Sequence, residues 1–155
     1  MNNRRIRGGR GMNGTTQHWG ITILRVMVGI IFLAHGSQKV FVYGFSGVSG
    51  AFRQMGIPAP AVMGPFVALL ELVGGVLLVL GVATKWLSIL FAIEMAVAVL
   101  KVHLSGGFFL PHGFEFALTM FAASCAIALE GPGKASLGRT LAKKGVGTGA
   151  LIDPV

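Results

Sequence analysis

The sequence predicts an all-α membrane protein: a four-transmembrane-helix bundle with a short interfacial helix between helices 1 and 2. Of the 155 residues, 54% are hydrophobic and only 12% are charged, which is about half the charged fraction of a typical water-soluble domain. The apolar residues fall into four runs separated by Gly, Pro and basic residues. Each run approaches the roughly 20 residues that a helix needs to cross a bilayer.

The four runs define a membrane domain over residues 19–133. The predicted spans cover residues of about 19–42, 62–82, 86–104 and 115–129. Residues 1–18 are rich in Gly, Asn and Arg and have no apolar periodicity, which is typical of a disordered basic arm. Residues 134–155 form a polar, basic tail.

A short amphipathic helix is predicted between the first two spans. Val48, Phe52 and Met55 follow one another at i, i+4 and i+7, the spacing of one helical face. Gly56 is placed to end this helix, and the turn at 58–60 separates it from the second span. A helix of this kind is expected to lie in the membrane interface.

The net charge of +8 lies mostly at the two ends of the chain. The basic residues there are Arg4, Arg5, Arg7, Arg10, Lys134, Arg139, Lys143 and Lys144. Basic clusters that flank apolar spans are typical of cytoplasmic segments, so we predict a multi-pass protein of the cell (inner) membrane with both termini cytoplasmic. The lipid bilayer is its expected partner. A nucleic acid is not expected, because no soluble surface remains to carry the basic groups.

Several charged residues lie inside the predicted spans, and three of them lie well away from the outer ends of the helices. Glu71 and Glu94 are near the middle of spans two and three, and Arg25 is inside the start of span one. Buried charges in a membrane are paired or neutralised. One interpretation is a structural charge pair of Arg25 with Glu94, or with Glu71, that fixes helix register. The other is a functional group of residues in the bundle interior.

A second group of polar residues is predicted to gather at the outer ends of the helices. It comprises His35, Gln38, Lys39, Lys101, His103, His112 and Glu115, with Phe108 beside it. Hydrogen-bond donors beside an apolar slot suit a quinone headgroup, and His titrates near neutral pH. The alternative interpretation is that His and Lys simply reach for lipid headgroups.

A metal site is not predicted. The candidate ligands are His35, His103, His112 and Glu115. Only His112 and Glu115 are closely spaced, and they straddle a predicted turn rather than share a helix face. No flavin, haem or phosphate-binding motif is evident either, so quinone is the one cofactor that we consider.

Four segments resemble the DoxX family in the order in which that family has them. They are the helix-one segment 29–39 with His35, Gly36, Gln38 and Lys39; Glu71 to Gly75 with Gly81 and Thr84; His103 with 107–109, Gly113 and Glu115; and Gly131 to Gly133 with Ser136 and Leu137. The resemblance implies a four-helix inner-membrane oxidoreductase component, linked in some members to quinone-coupled chemistry and in others to redox stress. It also implies functional roles for His35, Gln38, Lys39, Glu71, His103 and Glu115.

The leading hypothesis is a membrane subunit that couples a redox partner protein to the quinone pool. In it His35, His103 and Glu71 are the catalytic residues, and Gln38, Lys39, Phe108 and Glu115 bind the quinone or another substrate. Two alternatives remain open: a non-enzymatic scaffold that recruits soluble redox or detoxification enzymes, and a small carrier of solutes or protons. A homo-oligomer is compatible with each of these hypotheses.

Overall fold

The computed structural model describes residues 14–144, and this part of the chain is helical without any β-strand. Its α-helices are α1 (Gly14–Ser37), α2 (Gly44–Gln54), α3 (Pro60–Leu69), α4 (Gly75–Leu80), α5 (Thr84–Val97), α6 (Glu115–Glu130) and α7 (Leu137–Lys143). Three π-helical segments interrupt or extend them: π1 (Gln38–Tyr43), π2 (Leu70–Gly74) and π3 (Ala98–His103). A 3₁₀ turn, Leu104–Gly106, follows π3.

Three of these helical stretches are long and apolar enough to cross a membrane. They are His18–Gln54, Pro60–Leu80 and Thr84–Gly106, with 37, 21 and 23 residues. The prediction of an all-helical protein with these three spans is therefore confirmed. A helix also lies where the fourth span is predicted, but α6 has 16 residues and is shorter than the other three. Its crossing of the membrane stays a prediction.

A short helix, α2, lies where the sequence places one, between the first and second spans. It follows π1 directly, and the chain bends at Gly44, whose φ is +67°. α2 buries Val48 and packs against α3, where the missing side chain of Gly64 makes room for the backbone of Ser49. Its location at a membrane interface stays a prediction.

Both ends of the described chain contain helix. Helix α1 begins at Gly14, so residues 14–18 of the predicted disordered arm are its first turns; residues 1–13 lie outside the described residues. Within the predicted tail, Ser136 caps α7 by accepting a hydrogen bond from the Arg139 backbone amide at 3.1 Å. Residues 145–155 lie outside the described residues.

Helix α1 packs closely against π2 and α4, and glycines set the distance. A Cβ atom on Gly36 would overlap the backbone of Leu72 and Glu71, and one on Gly75 would lie 2.6 Å from the Leu33 amide nitrogen. Small residues permit such backbone contact between membrane helices. The packing fixes an antiparallel register in which Lys39, one turn beyond Gly36, arrives beside Glu71.

The core of the described bundle is apolar. Phe32 of α1 stacks on Phe91 of α5, with ring centroids 3.7 Å apart and planes 8° from parallel. The buried residues around this pair are Val28, Leu78, Leu87, Met120 and Ile127. These contacts join α1, α4, α5 and α6 into one unit.

Candidate functional site

A cluster of three charged side chains lies inside the bundle where three helical stretches meet. The Nζ atom of Lys39 is 2.5 Å from Oε1 of Glu71 and 3.9 Å from Oε1 of Glu94. The Glu71 side chain is only 2% exposed and that of Glu94 10%, whereas Lys39 keeps 23% of its surface exposed. We call these three residues the Lys39 cluster. They come from π1, π2 and α5, so the cluster joins all three candidate spans.

The Lys39 cluster has one more carboxyl group than it has cations. The carboxyl groups of Glu71 and Glu94 both lie beside the Lys39 ammonium group, and the Oε2 atom of each is buried without a donor group among the described residues. Two carboxylates and one ammonium carry a net charge of −1, which a single proton would neutralise. Because buried charge in a bilayer is costly, this geometry suits a group that holds one exchangeable proton.

Two of the three residues stand in π-helical segments. Lys39 is the second residue of π1, and Glu71 is the second residue of π2. A π turn widens the helix by closing hydrogen bonds from i to i+5, and single π turns are frequently found at functional sites. In this chain a side chain from each of the two π-helical segments reaches the same interior position, since Lys39 pairs with Glu71.

His35 adjoins the cluster through a small cavity. Its Nδ1 atom lies 2.9 Å from the carbonyl oxygen of Ile31. Because a carbonyl only accepts, Nδ1 carries the hydrogen and a neutral ring keeps its lone pair on Nε2. A cavity of about 30 Å³ is lined by His35, Glu71, Ile31, Phe32, Met95, Phe116 and Met120. This volume has room for one or two water molecules.

The His35 ring lies at the outer edge of that cavity. It is exposed on the bundle surface, and it faces Phe116 of α6 with 6.2 Å between ring centroids. The cavity therefore extends from the surface between α1 and α6 inward to Glu71. An exposed imidazole, a water-sized space and a buried carboxyl group lie in sequence along this line.

The predicted pairing of Arg25 with Glu94 or Glu71 is wrong. Arg25 is 1% exposed, but its guanidinium donates to backbone carbonyls: to Leu78, to Val79 at 2.8 Å and to Ala135 at 2.6 Å. Carbonyls in the last turn of α4 carry the negative end of the helix dipole, so they attract a cation. Lys39, rather than Arg25, is the cation beside the two carboxyl groups.

The other predicted site residues lie apart from the Lys39 cluster. Glu115 accepts a hydrogen bond from the Leu110 amide at 2.8 Å, and Phe108 packs edge-to-face on Phe109 and Phe114. Both therefore organise the loop before α6. Gln38 is exposed at the start of π1, and His103 is half-buried at the end of π3. Among the described residues, His35, His103, His112 and Glu115 do not assemble into a group that could hold a metal ion.

Sequence reasoning missed the partnership of Lys39 with the two carboxyl groups. The available signal was the glycine pattern: Gly36 and Lys39 share a helix face, and Glu71 precedes Gly74 and Gly75. Apposing the two glycine-containing faces in an antiparallel register brings Lys39 to Glu71. That register alone does not show whether Lys39 or Arg25 is the cation that the carboxyl groups meet.

Fold and site together define an all-helical membrane protein whose candidate spans share one buried cluster of ionisable residues. Residues 20–104 match the family model of DoxX. The chain belongs to the DoxX family, and the matched region contains Lys39, Glu71, Glu94 and His35. The resemblance seen in the sequence is thus confirmed.

Relatives of the chain come from several bacteria, and two of those described below are named as membrane proteins. "Putative oxidoreductase CatD" of Bacillus subtilis (strain 168) is 36% identical over 113 residues, which are 72% of this chain and 79% of that protein. An uncharacterized membrane protein of Mycobacterium tuberculosis is 30% identical over 84% of this chain and 86% of its own length. Inner membrane protein YphA of Escherichia coli (strain K12) is 29% identical over 77% and 88%. No solved structure matches the chain.

Proposed function

We propose that the protein is a membrane oxidoreductase component that couples a redox partner protein to the quinone pool, with His35 and the Lys39 cluster supplying protons to the quinone. The observation that carries the proposal is the line from exposed His35 through the 30 Å³ cavity to buried Glu71. The name of one relative, CatD, agrees with an oxidoreductase.

The proposal includes a topology. Helix α6 packs along α5 and serves as the fourth crossing, α2 lies in the interface, and both termini are cytoplasmic. The basic residues near the two ends of the chain support this orientation. His35 and Lys39 then lie toward the outer half of the membrane, where the headgroup of a quinone in the bilayer can approach them.

The chemistry requires two electrons and two protons for each quinone that becomes a quinol. The electrons come from a reduced redox partner protein. Because the Nδ1 hydrogen of His35 is bound to the Ile31 carbonyl, Nε2 is the atom that faces substrate. A protonated His35 donates its Nε2 hydrogen to a quinone oxygen as negative charge develops there.

The Lys39 cluster replaces the proton that His35 gives up. A proton shared by Glu71 and Glu94 passes through water in the cavity to Nε2 of His35. Lys39 then neutralises one of the two carboxylates, which limits the cost of the charge that remains. The side chain of Lys39 is 23% exposed, and a new proton reaches the cluster from that side.

The test is quinone reduction in membrane vesicles that contain the protein and its native partners. Replacing Glu71 by Gln keeps the shape of the side chain and removes the exchangeable proton. We expect the protein-dependent rate of quinol formation to fall by roughly 100-fold, the typical worth of a positioned acid or base. Lys101→Met, on an exposed residue of π3, is the control and should leave the rate unchanged. Unchanged quinol formation in E71Q would refute the proposal.

Proton carriage without a quinone is the second candidate function, and the size of the cavity favours it over solute transport. A space of about 30 Å³ admits water and excludes larger solutes. Purified protein in liposomes with an internal pH dye would then conduct protons with no quinone present, and E71Q would stop the current. Quinone-dependent proton uptake supports the first proposal instead.

The scaffold alternative makes a separate prediction about the basic tail. If the protein only recruits soluble enzymes through its basic tail, removal of residues 134–155 should abolish partner capture without any effect on quinone binding. Under the proposed function, E71Q impairs quinol formation while partner capture persists. Measuring both properties in both variants distinguishes the two functions.

A further inference from the structure

The segment that follows α6 folds back across the ends of α1 and α4. The Lys134 amide donates to the His18 carbonyl at 3.1 Å and to Thr22 Oγ1 at 2.8 Å, and the Gly138 amide donates to the Gly81 carbonyl at 3.0 Å. The Ser136 hydroxyl also donates to the Gly81 carbonyl, at 2.8 Å. These bonds hold residues 133–138 against two of the candidate spans.

The buried side chain of Arg25 also binds this segment. Its guanidinium binds the carbonyls of Leu78 and Val79 on α4 and that of Ala135 in the returning segment. One side chain of α1 therefore connects two other parts of the chain. The returning segment has a defined place in the structure, and so do the basic side chains that it carries.

Basic side chains surround this end of the bundle. Lys134 and Lys144 are exposed and Arg139 is half-buried, and Lys85 is exposed at the start of α5, close after Gly81. We call Lys85, Lys134, Arg139 and Lys144 the basic collar. Of the carboxylates among the described residues, Glu130 lies at this end, so cations exceed anions there.

Both tryptophans of the chain lie at the same end. Trp19 follows His18 at the start of α1 and is 48% exposed, and Trp86 follows Lys85 at the start of α5 and is 51% exposed. Tryptophan is enriched at the headgroup level of membranes. The two rings thus mark the depth of the lipid headgroups, and the basic collar lies at that depth.

We infer that the basic collar is a binding surface for anionic phospholipid headgroups, held in place by Arg25, Thr22 and Ser136. Charge complementarity supports a lipid phosphate, because four cations stand at headgroup depth beside two interfacial tryptophans. Each Lys or Arg near a membrane surface adds attraction toward anionic lipid. This inference does not depend on the proposed redox function.

Tryptophan quenching tests the inference in the full-length protein. The protein is reconstituted in mixtures of phosphatidylcholine and phosphatidylglycerol, with bromine on the acyl chains of one lipid at a time. Since the chain's two tryptophans lie beside the basic collar, quenching reports which lipid occupies it. We expect phosphatidylglycerol to be preferred by about fivefold or more at low salt.

The decisive variant replaces all four collar residues by Gln. Three of these side chains are exposed, and half-buried Arg139 donates to the Gly133 carbonyl at 3.0 Å, so the melting temperature should fall only slightly, while the lipid preference should fall to about onefold. The control is Arg53→Gln with Lys101→Gln, two exposed residues at the opposite end, which should keep the preference. A preference that persists in the four-residue variant, or equal quenching by both lipids in the parent, would overturn the inference. So would loss of the preference in the control.

Discussion

Lys39 and Glu71 form an ion pair, 2.5 Å from Nζ to Oε1, inside a bundle whose other interior contacts are mainly apolar. The two residues belong to different candidate spans, and each stands at the second position of a π-helical segment. Removing one member of a buried pair leaves an uncompensated charge, which costs more than the intact pair contributes. The pair therefore controls both the stability of the bundle and the charge state of the site.

Replacing Lys39 by Met should destabilise the protein by about 3–5 kcal/mol, the usual effect of breaking a buried ion pair. The reason is that Glu71 and Glu94 then face each other without a cation. Thermal unfolding in a mild detergent measures the effect. Lys101→Met removes an exposed lysine and should change the melting temperature little.

The double variant Lys39→Met with Glu71→Gln tests whether the loss comes from the pair itself. Removing the facing carboxylate should restore much of the stability, so the two substitutions will not be additive. Additive losses would show that Lys39 acts through its own packing rather than through Glu71.

The sequence could predict the spans because their signal is local. Apolar runs, Gly and Pro breaks such as Pro58 and Gly131, and basic ends mark the helices, and the structure places α-helices at those positions. The cluster was harder to predict because helical periodicity places Lys39 on the Gly36 face and Glu71 beside Gly74 and Gly75, but it does not say which helices face each other. That depends on the tertiary packing of α1 against π2.

The role of Arg25 could not be predicted from the sequence either. Its partners are backbone carbonyls of Leu78, Val79 and Ala135, and every residue has such a group, so no side-chain pattern identifies them. A carboxylate is the partner that composition suggests for a buried arginine. The carbonyls in the last turn of α4 provide the alternative, and only the tertiary fold reveals it.

Replacing Gly36 by Ala should separate α1 from π2. The added methyl group overlaps the backbone of Leu72 and Glu71, and backbone cannot move aside as a flexible side chain can. Overpacking of this kind costs about 1–3 kcal/mol or more. The melting temperature should fall. In Gly20→Ala, where no atom lies within 4 Å of the new Cβ, it should stay unchanged or rise slightly. Equal effects at the two positions would contradict the packing.

Replacing Arg25 by Met should release the segment after α6. The variant loses the donors that bind Val79 and Ala135, and hydrogen bonds from charged donors contribute about 1.5–3 kcal/mol each. Trypsin should then cleave after Lys134 and Arg139 faster than in the parent protein, as measured by mass spectrometry of the fragments. Arg53→Met, an exposed arginine of α2, is the matched control. Cleavage at the parent rate would mean that Thr22 and Ser136 hold the segment without Arg25.

Replacing His35 by Gln should slow quinol formation more than it weakens the bundle. The amide of Gln can still donate a hydrogen bond near Ile31, whereas it cannot take up and release a proton at the position of Nε2. We expect a loss of about 100-fold in the protein-dependent rate, with little change in melting temperature because the ring is exposed. His112→Gln, on an exposed histidine of the loop before α6, should keep the parent rate. If the two variants lose the same activity, or if His35→Gln keeps all of it, then the proton reaches the quinone by a route that does not include His35.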